Sequence, residues 1–474
     1  MLGEGEETFR RLLAHYDGEG ETLEEIPGIA FRKPGLEHAN IETHPWPALL
    51  PMDELAFPYQ ELEDFENRII YYESSRGCPF SCSYCLSSID KTVRFRSLDR
   101  VLPELQFFLD RRVPQVKFVD RTFNCRRSHA LAIWRYLLEH DNGVTNFHFE
   151  ITSDLLDEEE LGVLSKMRPG LVQLEIGVQT TNPDAIEAIE RRMDLSRVRE
   201  NVAAINRFAN IHQHLDLIAG LPCEDYESFG HSFDDVYAMR PSQLQLGFLK
   251  VLKGSNMHRR AGRCGIIYQE TPPYEVLFTK WISYGELLRL KDVEEMVEVF
   301  YNSAQFRWSM AYLEHFFDRP FHLYEALADY YEERKYRGLS HSRMARYEHL
   351  WGFGLTVAGV DRDVFSQILT YDLYLRENVK NRPSFAGGYP VDKERLREFY
   401  RREARERRFL PGYEAFDERQ LSKMTHMVGF LLDVEQSALA GEARGEREYV
   451  LFDYKNREPL YHNAGVRRLR EEQL

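Results

Sequence analysis

Between residues 69 and 251 the chain alternates short β-like runs with helical stretches. The runs read "IIYYESSRG", "VKFVDRTFN", "HFEIT", "LEIGVQT", "HLDLIAGLP" and "QLQLGFLKV", and stretches such as 97–112 and 128–140 between them carry apolar residues at helical spacing. Asn182-Pro183-Asp184 supplies an N-cap, a proline at the first helical position and an acidic first turn. Repeated strand and helix units predict a parallel sheet with helices outside it. Strands covered on both faces should be nearly continuous apolar runs; several here are not. Leu174, Ile176 and Val178 share one face while Glu175, Gly177 and Gln179 share the other, and His148, Glu150 and Thr152 oppose Phe149 and Ile151. Unpaired polar groups are costly to bury, so if the apolar faces pack under helices, the polar ones must line a wet lumen. An open barrel is expected; a filled eight-stranded barrel or a doubly wound sheet with polar strand ends also agrees with the periodicity alone.

Three cysteines follow the first strand. "RGCPFSCSYC" places Cys78, Cys82 and Cys85 in the spacing C-x3-C-x2-C. No apolar run approaches the roughly 20 residues of a membrane span, and "MLGEGEETF" has neither a basic n-region nor an apolar h-region. A cytoplasmic protein is therefore expected, where thiols stay reduced and six cysteines serve as metal ligands or buried thiols. Structural zinc needs four protein ligands, and no histidine lies between His44 and His129. A zinc site would have to recruit a distant ligand, whereas a 4Fe-4S cube on three thiolates leaves one iron open.

With Tyr84 at the aromatic position of C-x3-C-x-aromatic-C, the chain resembles the radical S-adenosylmethionine (SAM) superfamily. The resemblance implies a partial (β/α)6 TIM-like barrel, α/β in class, with SAM chelating the open iron. One-electron cleavage would then yield a 5′-deoxyadenosyl radical that abstracts hydrogen from a substrate. Further motifs resemble the subgroup of coproporphyrinogen oxidase, the methylthiotransferases and the cobalamin-binding radical enzymes. They imply cofactor-facing roles for Tyr84, Glu150, Gln179, Asp216 and Ile218, and a carboxylate-pairing role for Arg191, with Arg192 an equally reachable neighbour. Two departures stand out: Cys223 occupies the place usual for glycine after "GLP", and "VDRTFN" replaces the familiar "GGE", making Asp120 and Asn124 candidates there. Cys125, Cys223 and Cys264 lack paired spacing and read as buried or incidental thiols, with an auxiliary cluster as the alternative.

Three segments are expected: 1–68, a remnant or linker of a cobalamin-binding domain; 69–262, the radical SAM barrel; and 263–474, an α-rich, helical C-terminal domain of unknown function. "LGEGEETFRRLL" and "IPGIAFR" resemble the join that follows a cobalamin-binding domain, but Asp-x-His-x-x-Gly does not occur in the 474 residues, so cobalamin stays an open cofactor and a cobalamin-dependent methyltransferase needs an upstream domain. Aromatics in "MAYLEHFFDRPFHLYEALADYYEERKYRG" read as helix core. Lys393 to Arg408 reads as a solvated helix face, and a formal charge of −16 argues against a nucleic-acid footprint. The expected partners are an electron donor such as flavodoxin or ferredoxin and an unknown organic substrate. RNA modification and a non-catalytic metal protein are the competing functions.

Overall fold

Alternation within the strands decides how they can pair. The computed structural model describes residues 1–32, 41–61, 68–88, 91–379 and 381–474; parts of the N-terminal segment, 33–40 and 62–67, lie outside the described residues. All six runs form strands: β1 (Ile70–Tyr72), β2 (Gln115–Phe118), β3 (Asn146–Ile151), β4 (Val172–Gln179), β5 (His212–Ala219) and β6 (Gln243–Phe248). They pair in chain order, every neighbour parallel. A doubly wound sheet reverses its order at a switch point; this one does not, and it has six strands rather than eight.

Helices Leu98–Asp110, Arg127–Glu139, Glu158–Leu164, Leu195–Phe208 and Tyr226–Ala238 separate the strands. Several caps are built from local side chains: Asn182 accepts from the amides of Asp184 and Ala185, and Asp157 forms a capping box with Glu160. The outward strand residues Phe118, Phe149, Leu174, Ile176, Leu215 and Leu217 are buried under these helices. Phe149 packs between Phe118, Phe123 and Trp134.

An edge strand presents unpaired backbone groups that must be satisfied. On β6 the Asn302 side chain does this as another strand would, accepting from Leu244 N and donating to Leu244 O, both at 2.9 Å. Asn302 belongs to the C-terminal region, whose helices share one continuous apolar core with the barrel. Tyr312, Phe321, Tyr324, Tyr330 and Tyr331 are all in that core.

The expectation of a helical 263–474 needs correction. Helices dominate it, but β7 (Tyr389–Pro390), β8 (Thr425–Phe430), β9 (Glu448–Asp453) and β10 (Gly465–Leu469) form a four-stranded antiparallel sheet. Val428, Phe430, Val450 and Phe452 join the main core, while Met427, Tyr449 and Leu451 alternate onto a second core with Phe399 and Tyr400 of helix Lys393–Glu406. That helix is thus solvated on its charged side and buried along the other. Among the described residues no helix is long and apolar enough to cross a membrane.

Phe149→Ala is expected to cost about 3–5 kcal/mol, read as a lower midpoint in denaturant unfolding. A loss below about 1 kcal/mol would mean that the surrounding rings collapse onto the space.

Candidate active site

Gly77 sets the shape of the cysteine loop. Its φ is +97°, and a Cβ there would collide with the Thr92 carbonyl oxygen, so only glycine fits. The loop is then bonded to the barrel at its middle: Ser83 N donates to Ile189 O at 2.8 Å, and Ser83 O accepts from Met257 N at 2.7 Å. Its base is gripped by the N-terminal helix region. Arg76 Nη2 lies 2.7 Å from both Glu6 and Glu73, and Arg94 binds Glu4 and, at 2.6 Å, the Leu50 carbonyl.

These contacts put all three thiols on one cavity of about 220 Å³ at the carboxyl ends of the strands. Cys78 and Cys82 are buried and Cys85 is half-buried. The same cavity is lined by Tyr84, Glu150, Gln179, Arg191 and Asp216. Ile218, Arg192, Asp120 and Asn124, also named from the sequence, are not on this lining; Ile218 lies on β5 opposite Gly247 of β6, half-buried at the margin of the core.

Arg191 bridges the loop and β4. Its guanidinium donates to the Gly177 carbonyl, with Nη1 3.3 Å from Tyr84 Oη and 3.6 Å from Cys82 Sγ. Arg192 is exposed, whereas Arg191 lines the cavity. Gly177 explains part of "GVQT": a Cβ there would collide with Gln179 Nε2 and reach Arg191 Nη2 at 3.8 Å. Gln179 adopts a positive φ at a register shift between β4 and β5, turning it out of the strand pattern. Beyond it Thr180 and Ser232 both donate to the buried Glu224 carboxylate.

Below the loop the lumen face carries a charged ladder. Glu175 Oε2 lies 3.0 Å from Lys117 Nζ and 2.9 Å from His148 Nε2, while His214 Nε2 lies 3.0 Å from Asp216 Oδ1. The two histidine contacts are close as ion pairs but not aligned as hydrogen bonds. The contact with His148, together with Lys117, holds the Glu175 carboxyl down at about 2 against the opposing effect of burial. Glu150, beside Glu175 across β3 and β4, is pushed up to about 7, first by burial and then by the Glu175 charge. Asp216 is also raised by burial.

Asp120 and Asn124 hold backbone rather than the chamber. Buried Asp120 accepts from Ser74 N, Ser74 Oγ and Ser75 Oγ at 2.6–2.8 Å, and Asn124 bonds both Thr152 N and Thr152 O at 3.0 Å. Cys223 has φ +65°, the left-handed region that favours glycine, which accounts for the residue usual at that place. Burial raises Cys125 to about 11, with the neighbouring Cys78 adding to it. Glu175 on the lining and His148 beneath it belong to the polar faces marked by the sequence, whereas Arg121 on the lining and Lys117 and His214 beneath it were not singled out there. The alternation that marked the polar faces was the signal for the strand residues.

Three thiols on one glycine-dependent loop, facing a guanidinium within one cavity, are a donor set suited to a cluster held by thiolates. Among the described residues no group of three or more His, Cys, Asp or Glu converges on a point that would hold one metal ion. Residues 72–236 match the Radical SAM superfamily, and residues 263–452 match a Protein of unknown function family, DUF4080. The chain thus carries a Radical SAM domain followed by a DUF4080 domain, and the Radical SAM superfamily uses a 4Fe-4S cluster and SAM.

Its relatives include an uncharacterized methyltransferase of Pyrococcus horikoshii, 24% identical over 48% of this chain and 50% of the relative. They also include the cobalamin-dependent radical SAM methyltransferase TokK of Streptomyces tokunonensis, 28% identical over 48% of this chain and 35% of the relative. The chain thus matches half or less of the length of either. The cobalamin-dependent SAM radical enzyme OxsB shares the fold, with a TM-score of 0.51 at 13% identity over 77% of this chain and 64% of that one.

Glu175→Gln is expected to lower the Glu150 pKa from about 7 while burial keeps it above the ordinary value of about 4.3. Carboxyl carbon NMR of the cofactor-free protein measures this; an unmoved Glu150 titration would remove the Glu175 charge as a cause.

Proposed function

We propose that Cys78, Cys82 and Cys85 hold the 4Fe-4S cluster, and that Tyr84, Glu150, Gln179, Arg191 and Asp216 form the SAM chamber beside it. The observation that carries this reading is their meeting on one cavity. Held there, a cluster and SAM would supply one-electron radical chemistry for hydrogen abstraction from an organic substrate. The chain's own residues bind and orient. Arg191, fixed by Gly177 and Tyr84, offers a fork suited to a carboxylate. Glu150, poised near neutrality, can accept or donate a hydrogen bond on the β3 side. Asp216 presents a further carboxyl on β5, backed by His214. Ile218 would contribute an apolar contact only at the margin. The reading also requires a one-electron donor, such as a flavodoxin or ferredoxin.

A second reading, cobalamin-assisted methyl transfer, is favoured by the likeness to TokK, a cobalamin-dependent methyltransferase by name. Absorbance titration with hydroxocobalamin separates the two: saturable binding at about micromolar concentration supports methyl transfer by this chain, and no binding favours hydrogen abstraction alone.

Anaerobically reconstituted protein is expected to carry one 4Fe-4S cluster by iron and sulfide analysis. Alanine at Cys78, Cys82 or Cys85 should abolish it, whereas Cys125→Ala should leave it intact. Stoichiometric zinc with no cluster, or equal loss in Cys125→Ala, would contradict the assignment.

Reduced protein should form 5′-deoxyadenosine from SAM without substrate, detectable by chromatography. Arg191→Ala should weaken SAM binding by about 1.5–3 kcal/mol in equilibrium dialysis; unchanged affinity would remove Arg191 from the chamber.

A further inference from the structure

A chain with 77 acidic and 61 basic residues contains one long stretch with no carboxylate side chain. From Pro241 to Gln269 there is no Asp or Glu, while Lys250, Lys253, Arg259, Arg260 and Arg263 all fall within it. Most of that charge faces solvent: Lys253, Arg259 and Arg263 are exposed, and so is Arg192 on the segment after β4. Glu190 pairs with Arg260 at 2.8 Å and neutralises that one arginine.

The position of these residues gives the charge its meaning. The cysteine loop is bonded through Ser83 to two segments, one ending at Ile189 and the other beginning the short helix Asn256–Arg260. Arg192 follows the first bond by three residues, and Arg259 follows Met257 by two. The basic residues therefore lie on the two segments that touch the loop next to Cys82, on the outside of the molecule. None of them lines the SAM chamber.

We infer that Arg192, Lys253, Arg259 and Arg263 form the docking surface for an acidic one-electron carrier protein of the flavodoxin or ferredoxin type. This rests on the cluster assignment proposed above. Those cations would give a localised attractive field on a molecule that otherwise repels an acidic partner, which orients the encounter and raises its rate. One electron leaves the reduced carrier and enters the cluster; the carrier is oxidised by one electron, and no proton or group passes to the chain.

The test compares wild type with Arg259→Glu/Arg263→Glu and with Arg397→Glu/Arg405→Glu. The second pair makes the same change in net charge on the exposed side of helix Lys393–Glu406, which packs on the second core. Calorimetric titration with an oxidised flavodoxin and an oxidised 4Fe-4S ferredoxin at low salt is expected to show about tenfold weaker binding for the first pair only. Wild-type affinity should fall with added salt. In cluster-loaded protein, carrier-driven reduction should slow in the first pair while dithionite-driven formation of 5′-deoxyadenosine stays at the wild-type rate.

Equal behaviour of the two double variants, or no binding of either carrier to wild type, overturns the inference. So does a loss of tRNA binding with carrier binding retained, which would assign the surface to nucleic acid. Failure of dithionite-driven cleavage in wild type would instead count against the proposed function, and the binding comparison would still decide the docking surface.

Discussion

Charged side chains on a sheet face must be either wet or paired, because desolvating an ion costs several kcal/mol unless partners compensate. The lumen face of this sheet carries Lys117, His148, Glu150, Glu175, His214 and Asp216 on neighbouring strands. Most of them are matched into the Lys117–Glu175–His148 and His214–Asp216 contacts. Glu150 faces another carboxylate across the register, and burial and that charge together raise its pKa. The barrel stays open around these groups because filling it would strand them. The apolar half of each strand can pack outward under helices only because the other half is served in this way.

The cysteine loop depends on the same frame. Its ends rest on a short hairpin pairing Ser75–Arg76 with Arg94–Phe95, its middle is bonded to the segment after β4 and to helix Asn256–Arg260, and Glu4 and Glu6 reach Arg94 and Arg76 from the N-terminal side. A disturbance to any of these segments would reach the thiols through two or three bonds. The C-terminal region supports the frame from the opposite edge, with Asn302 closing β6 and its aromatic helices continuing the barrel core.

Much of this was legible in the residues. The six strands follow from apolar runs with alternating partners, and the cysteine triad with Tyr84 pointed to the mouth of the barrel. Arg191 and Arg192 could not be separated by sequence, since the choice depends on which one the turn after Pro183–Ala188 aims at Gly177. Asp120 and Asn124 have side chains fit for a site, but the chain uses them to hold Ser74, Ser75 and Thr152. The C-terminal sheet was missed because "THMVGF" and "EYVLFD" are short apolar runs among helices, and periodicity cannot tell such runs from buried helix. The ion pairs that link Glu4 and Glu6 to Arg94 and Arg76 join residues far apart in sequence and left no local signal.

The central claim is that three thiolates leave one iron of the cluster for SAM. Pulsed electron paramagnetic resonance of the reduced cluster, with SAM labelled by nitrogen-15 at its amino group, tests it most directly. The account predicts a nitrogen-15 hyperfine coupling that appears on adding labelled SAM and is absent with unlabelled SAM. A reduced cluster whose spectrum does not change with saturating SAM would contradict it.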